Sequence, residues 1–287
     1  MKLTKLLGRD VRLGTVRNIH KFLIVIALAA FICDNTYTSY IEFFGKYGII
    51  RSNGTFMDYL MKLNPGIEIY HFSPKEEFKI PVFWFTMQIT VHYIIGYYPE
   101  EDFRLYGKTV IPASGSSGLW WISKCIWCTL TVTLYYVIMT ATAFAVSLYR
   151  SASVKGSFTK ALMSRLYGGI MNYITIRDAL LIVVIVPFAT TLSLCLFQLF
   201  LGFVITPVVS YIIICIFYVL SVYYHSWWFS GGFTMWIRSS YINISEGRCY
   251  LHDLGRADSR QVIGALQECD TGYVPLSQSK SLKYFTN

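Results

Sequence analysis

Residues that could carry chemistry are few in this chain, and their spacing departs from the common catalytic motifs. Gly107-Lys108-Thr109 ends like a phosphate-binding loop, but Asp102 stands five positions before Gly107, where such a loop needs a glycine so that backbone amides can wrap the phosphate. The histidines also lack the paired spacing of a metal-binding helix; they are His20, His71, His92, His225 and His252. The sequence therefore predicts no enzyme activity, no metal and no cofactor in this chain.

Cysteine chemistry is weakly supported as well. Cys125 and Cys128 form a C-x-x-C pair, but the pair begins a long apolar run and has neither a second pair nor a nearby histidine. Chance placement in a membrane helix explains it better than metal binding or redox chemistry.

Polar residues inside the long apolar runs are the remaining candidates for a functional site. Such groups are costly against lipid, so we expect them to face other helices or a watery cavity. Two interpretations stay open, a hydrogen bond between packed helices, which carries more weight, or a contact with a substrate on its way across the membrane. The candidates are Asp34, Asn35, Gln88, His92 and Gln198.

The elements that must position these residues are membrane helices. Hydrophobic residues make up 54% of the chain and charged residues only 14%, whereas charged residues form about a quarter of an ordinary soluble domain. From Ala179 to Ile237 the chain contains no Asp, Glu, Lys or Arg. A helix needs about 20 apolar residues to cross a bilayer. The sequence predicts an all-α polytopic membrane helical bundle of about five spans.

Charge and apolar runs together predict how the chain is organised. The first span is expected to be retained, because no small-residue cleavage pattern follows it. The tail is expected to stay out of the membrane, because it is rich in charge, which would place the two ends of the chain on opposite sides. In chain order we predict a cytoplasmic amphipathic basic segment at 1–20, span 1 at 21–41, an external loop at 42–79, span 2 at 80–98, a cytoplasmic segment at 99–123, span 3 at 124–149, a connecting loop at 150–178, span 4 at 179–201, span 5 at 204–224, a membrane-proximal external segment at 225–245 and a polar tail at 246–287.

The first 21 residues set the predicted orientation, because six basic residues stand there against Asp10 alone. They indicate either a helix lying on an anionic membrane surface or a positive flank retained in the cytoplasm. In the first interpretation the basic face, opposite an apolar one, consists of Lys2, Lys5, Arg9 and Arg12. Both place the N-terminus in the cytoplasm of a multi-pass plasma-membrane protein. The basic excess in 150–178 conflicts with simple alternation, so a four-span arrangement with a re-entrant 80–98 remains open.

Several stretches, in order, resemble the membrane subunits of bacterial ABC-type exporters. The opening KLLGRDVRLGTVRNIHKFLI is similar to the basic lead-in and first span of these permeases. The longer similarity comprises TFMDYLMKLNPGIEIY, FKIPVFWFTMQITVHYIIGYYPEEDFRLYGKTV and LWWISKCIWCTLTVTLYY, with F-x-D-Y-L, I-P-V-x-W and W-W-x-S-K patterns. The family usually has six spans, and basic residues stand where this chain has the Ser-Gly run 114–118.

The resemblance implies a permease that moves a substrate across the membrane with ATP hydrolysed by a separate subunit. It favours a spanning 80–98 over a re-entrant one. It also implies that segment 99–123 contacts the ATPase subunit. The permeases are expected to pair as homo- or heterodimers in contact with membrane lipid, and no nucleic acid is expected as a partner. A non-transporting membrane module is the alternative. The proposed coupling residues are Glu100, Glu101, Arg104 and Lys108.

Overall fold

The computed structural model describes residues 2–47, 53–67, 78–114, 116–154, 158–159, 180–224 and 228–239. These residues form helices, turns and one isolated bridge between Thr55 and Ser153, so the predicted all-α fold is confirmed. The polar tail 246–287 and most of the connecting loop 150–178 lie outside the described residues. The helices are α1 (Lys2–Asp10), α2 (Phe22–Tyr47), α3 (Phe56–Leu63), α4 (Val82–Gly96), α5 (Tyr98–Ser114), α6 (Ser117–Tyr149), α7 (Val186–Val204), α8 (Pro207–Tyr223) and α9 (Trp236–Ser239).

Three helical stretches are long and apolar enough to cross a membrane. They are Ile19–Glu42, Ser117–Tyr149 and Leu181–Val204, where Leu181–Ile185 is a π-helical turn that leads into α7. Helices α4 and α8 are apolar but shorter, at 15 and 17 residues. The chain therefore has the architecture of a helical membrane protein.

Contacts at different levels of α6 show the direction in which its neighbours run. Arg150 at the end of α6 pairs with Asp34 of α2, while Thr131 contacts Thr15 before α2, so the two helices are parallel. The Tyr135 hydroxyl donates to the Met87 carbonyl at 2.8 Å, whereas Lys124 contacts Tyr98, so α4 is antiparallel to α6.

Helices α7 and α8 continue this alternation. Tyr136 bonds Thr191 at 2.9 Å, and Trp120 packs on Phe203, so α7 is antiparallel to α6. Helix α8 then returns after a short connection in which the Thr206 side chain accepts from the Val209 amide. Five helices thus run between two ends, here called the Lys124 end (α1, α5 and the start of α6) and the Asp58 end (α3 and residues 228–239).

Element bounds differ from the sequence prediction mainly at two helices. Helix α6 begins at Ser117 rather than at 124, because the Ser116 side chain caps it by accepting from the Leu119 amide at 3.2 Å. Helix α2 continues to Tyr47 rather than ending at 41. Most of the predicted cytoplasmic segment 99–123 is helical, with α5 containing Pro112.

A buried carboxylate organises the Asp58 end. Asp58 is fully buried and accepts from the Thr55 amide at 2.9 Å and from the amide and hydroxyl of Thr159 at 2.8 Å each. The Tyr40 hydroxyl of α2 also donates to it. The Asp58 side chain therefore caps α3 and ties it to α2 and to the chain beyond α6.

Residues 228–239 close the same end. Trp84 donates to the Thr234 hydroxyl at 2.9 Å, and Met235 lies in the apolar core with Trp84, Tyr218 and Val222. The Arg238 guanidinium donates to the carbonyls of Ser221 and Val222 at 2.6 and 2.7 Å. A cation at the last carbonyls of a helix is favoured by the helix dipole, so Arg238 stabilises the end of α8.

Candidate functional site

Three of the five predicted intramembrane polar residues meet in one buried cluster. Gln88 and His92 of α4 and Gln198 of α7 are each at most 2% exposed. They belong to a set of seven hydrogen-bonded residues that we call the central polar cluster. Its members come from α4, α6, α7, α8 and the end of α3: Asn64, Gln88, His92, Tyr136, Thr191, Gln198 and Tyr218.

His92 is held by both ring nitrogens. Gln198 donates its side-chain amide to the His92 carbonyl at 3.2 Å, which turns the Gln198 amide oxygen toward His92 Nδ1 at 2.6 Å. Nδ1 therefore carries the proton, and Nε2 accepts from the Tyr218 hydroxyl at 3.1 Å. The imidazole is thereby fixed as one neutral tautomer that joins α4, α7 and α8.

Gln88 extends the cluster toward the Asp58 end. Its amide donates to Asn64 at 3.2 Å, and its oxygen accepts from Thr191 at 3.1 Å. Thr191 also bonds the Tyr136 hydroxyl at 2.9 Å. The members thus satisfy one another with amide, hydroxyl and imidazole groups, and none of the seven carries a formal charge in this arrangement.

Asp34 and Asn35, the other two predicted intramembrane polar residues, do not join the cluster. Both residues are exposed, and Asp34 pairs with Arg150. The guanidinium also lies over the Tyr37 ring, 4.4 Å from its centroid. Since Arg150 follows the last residue of α6, Asp34 is level with the end of that helix.

A second cluster, which sequence reasoning missed, brings four charged groups together at the Lys124 end, three of them buried and Arg9 half-buried. The Lys124 ammonium lies 2.6 Å from a carboxylate oxygen of Asp10 and 2.6 Å from one of Asp102. Arg9 completes the set by pairing with Asp102. Lys124, Asp10 and Asp102 are at most 3% exposed. The buried charge cluster, defined as Arg9, Asp10, Asp102 and Lys124, therefore joins α1, α5 and α6.

Neutral donors and aromatic rings complete this cluster. Ser123 and Tyr98, the first residue of α5, donate to Asp10 at 2.6 and 2.8 Å, and the Lys124 ammonium lies 4.6 Å from the centroid of the Tyr98 ring. Burial, followed by the negative charge of Asp10, raises the pKa of Tyr98 above its usual value, so the phenol remains a donor at neutral pH.

Helix α5 carries all four proposed coupling residues. Asp102 anchors one side of α5 in the buried charge cluster, while Glu101, Arg104 and Lys108 are exposed and Glu100 is half-buried. Glu100 and Arg104 lie one turn apart with a 3.8 Å ion pair. The exposed side of α5 also presents Leu105, which is 63% exposed. The structure thus brings the four residues together on one short helix at the Lys124 end.

Comparison of the chain with protein-family models, with curated proteins and with solved structures found no match. Among the described residues, no group of three or more His, Cys, Asp or Glu is arranged to hold a metal ion. The resemblance to exporter permeases rests on the sequence patterns quoted above.

The missed residues were signalled in part by those patterns. The W-W-x-S-K pattern contains Ser123 and Lys124, and F-x-D-Y-L contains Asp58. A lysine just inside an apolar run indicates a buried partner. The partners Asp10 and Asp102 lie 114 and 22 positions away along the chain, so no local spacing identifies them.

Proposed function

We propose that this chain is a permease subunit of an exporter, and that a separate ATPase binds it at the exposed side of α5. The observation that carries the proposal is the mounting of α5. A helix that only joined two spans would need no rigid attachment, yet Asp102 fixes α5 to α1 and α6 through Lys124 and Arg9. The other side of α5 presents Glu101, Arg104 and Lys108.

Helix α6 connects α5 to the central polar cluster. Lys124 lies near the start of α6, the same helix that contributes Tyr136 to the central polar cluster. A displacement of α5 reaches that cluster through α6. In this proposal the cluster, with Gln88, His92 and Gln198, lines the translocation path after the helices separate. The chain lies in the plasma membrane with its N-terminus in the cytoplasm, and it pairs with another permease subunit, which is a copy of itself or a relative.

The experiment is affinity purification of the tagged full-length chain from its native membranes, followed by measurement of ATP hydrolysis in the purified fraction. Single reversals E101K and R104E are expected to reduce the retained activity at least tenfold. The exchange E100R/R104E is the matched variant, because it keeps the net charge and the i,i+4 ion pair while inverting the charge pattern. It should lose activity as well if a partner recognises that pattern.

Lys5→Glu supplies the control, since Lys5 is an exposed cation on α1 rather than on α5. Retained activity that is equal in all variants would contradict docking at α5, and a wild-type fraction without ATP hydrolysis would contradict the exporter proposal itself.

A non-transporting membrane module is the second candidate. It is favoured by the mutual hydrogen bonding of the central polar cluster, because fully paired interior groups also serve to fix helix packing. Reconstituted vesicles distinguish the two: substitution of Gln88 by Leu should abolish ATP-dependent transport in a permease while leaving assembly intact, whereas in a packing module it should change only stability.

A further inference from the structure

The segment between α1 and α2 presents an exposed surface rich in cations. Arg12, Arg17 and His20 are exposed and Lys21 is half-buried. Asp10 is the only acidic residue among the first 21 positions, and it is 1% exposed because it is buried against Lys124. Burial of Asp10 therefore removes the one negative charge of this segment from the surface.

Exposed apolar side chains alternate with these cations. Val16, Ile19 and Leu23 are 58%, 54% and 64% exposed. Ile19 is also the first residue of the membrane-spanning stretch Ile19–Glu42. Arg17 and Lys21 thus flank the point at which the chain enters its apolar span, the depth at which phospholipid headgroups lie.

The neighbouring elements add one acidic group and one aromatic ring. Glu101 of α5 is exposed and lines a cleft of about 50 Å³ together with Arg17 and Asn18. The Lys21 ammonium lies 5.3 Å from the centroid of the Tyr93 ring of α4. The segment thus carries three strong cations, Arg12, Arg17 and Lys21, and the cleft beside Arg17 adds one exposed carboxylate, which leaves an excess of two positive charges at the membrane entry.

We propose that Arg12, Arg17 and Lys21 form a binding site for the phosphate groups of anionic phospholipids in the leaflet at the Lys124 end. Charge complementarity selects an anion, and the exposed Val16, Ile19 and Leu23 select one that is attached to acyl chains. A soluble partner would leave those three side chains in water or would have to enter the bilayer. The site does not depend on the proposed exporter function.

The test uses the purified full-length chain in mild detergent, supplied with equal amounts of phosphatidylglycerol and phosphatidylcholine. Native mass spectrometry measures the ratio of the two lipids bound. One Lys or Arg near an anionic surface changes affinity about fivefold. The ratio should therefore fall about fivefold in R17Q and roughly tenfold or more in R12Q/R17Q.

The matched control is R104Q/K108Q, which removes two exposed cations from α5. It should keep the wild-type ratio, and all variants should keep the wild-type elution volume, since the substituted side chains are exposed. Excess inorganic phosphate should leave the bound phosphatidylglycerol in place.

Four results would overturn the site. The first is a ratio of bound phosphatidylglycerol to phosphatidylcholine near one in the wild type, and the second is an equal fall of that ratio in R104Q/K108Q. The third is displacement of phosphatidylglycerol by inorganic phosphate. The fourth is an R12Q/R17Q variant that keeps the wild-type lipid ratio but loses a copurified ATP-hydrolysing subunit. The last result would assign the cations to a protein partner.

Discussion

Replacement of Lys124 by Met tests whether the buried charge cluster holds α1, α5 and α6 together. The wild-type ammonium lies 2.6 Å from oxygens of both Asp10 and Asp102. In K124M, Asp102 retains Arg9, but Asp10 retains only the hydroxyl donors of Tyr98 and Ser123. Removing one partner of a buried ion pair costs about 3–5 kcal/mol, because the remaining charge is left uncompensated.

The double variant D10N/K124M separates this cost from lost packing. The asparagine side chain that replaces Asp10 carries no charge, so the double variant should recover at least about 2 kcal/mol of unfolding free energy relative to K124M. The free energy of unfolding is measured in detergent micelles by titration with dodecyl sulfate, with tryptophan fluorescence as the signal. A K124M loss below about 1 kcal/mol, or a double variant less stable than K124M, would refute the reasoning.

The remaining predictions concern one close packing contact, one buried acid and one orientation. Gly14→Ala should lower the free energy of unfolding by about 1–3 kcal/mol, because its new Cβ would lie 2.6 Å from Trp127 Nε1. Gly8→Ala is the control: its Cβ meets nothing within 4 Å, so the change should leave the free energy of unfolding unchanged or raise it. Asp58→Asn should lower the free energy of unfolding by about 3 kcal/mol, because donors that face a buried carboxylate would lose an acceptor. Asp34→Asn, at an exposed carboxylate, is the control and should have little effect in the same titration. A cysteine at Lys108 should react with an impermeant maleimide only after cells are permeabilised, and labelling in intact cells would place the Lys124 end outside.

The all-α membrane fold was predictable because long apolar runs indicate membrane helices. Hydrogen-bond and ion-pair partners that are distant in sequence were not predictable. Gln88 and His92 were singled out as polar residues in an apolar run, and the structure adds that the Tyr218 hydroxyl lies 3.1 Å from His92 Nε2 and 3.4 Å from the Gln88 amide oxygen. Asp34 shows the limit of the same reasoning. It lies in an apolar run too, but its depth is set by where α6 ends, and its partner Arg150 there is 116 positions away in sequence.

The charged groups at the Lys124 end show a second limit. A charge near the start of a chain predicts orientation through the positive-inside rule, but that rule treats each charge as exposed. Arg9 and Asp10 instead take part in a buried cluster with residues of α5 and α6. The spacing of residues within 1–20 is that of a free amphipathic helix. In the folded chain α1 packs against α6, and this contact buries part of the polar face of α1.

The length of α6 has a mechanical consequence. Its 33 residues span about 50 Å at 1.5 Å per residue, whereas the hydrocarbon core of a bilayer is about 30 Å thick. Its sequence contains no proline, so no fixed kink divides it. Lys124 lies near the start of α6 and Arg150 directly follows its last residue, and each forms an ion pair with a neighbouring helix. A pivot of α6 by about 10° around its middle would therefore carry each end through about 4 Å, more than the length of a hydrogen bond.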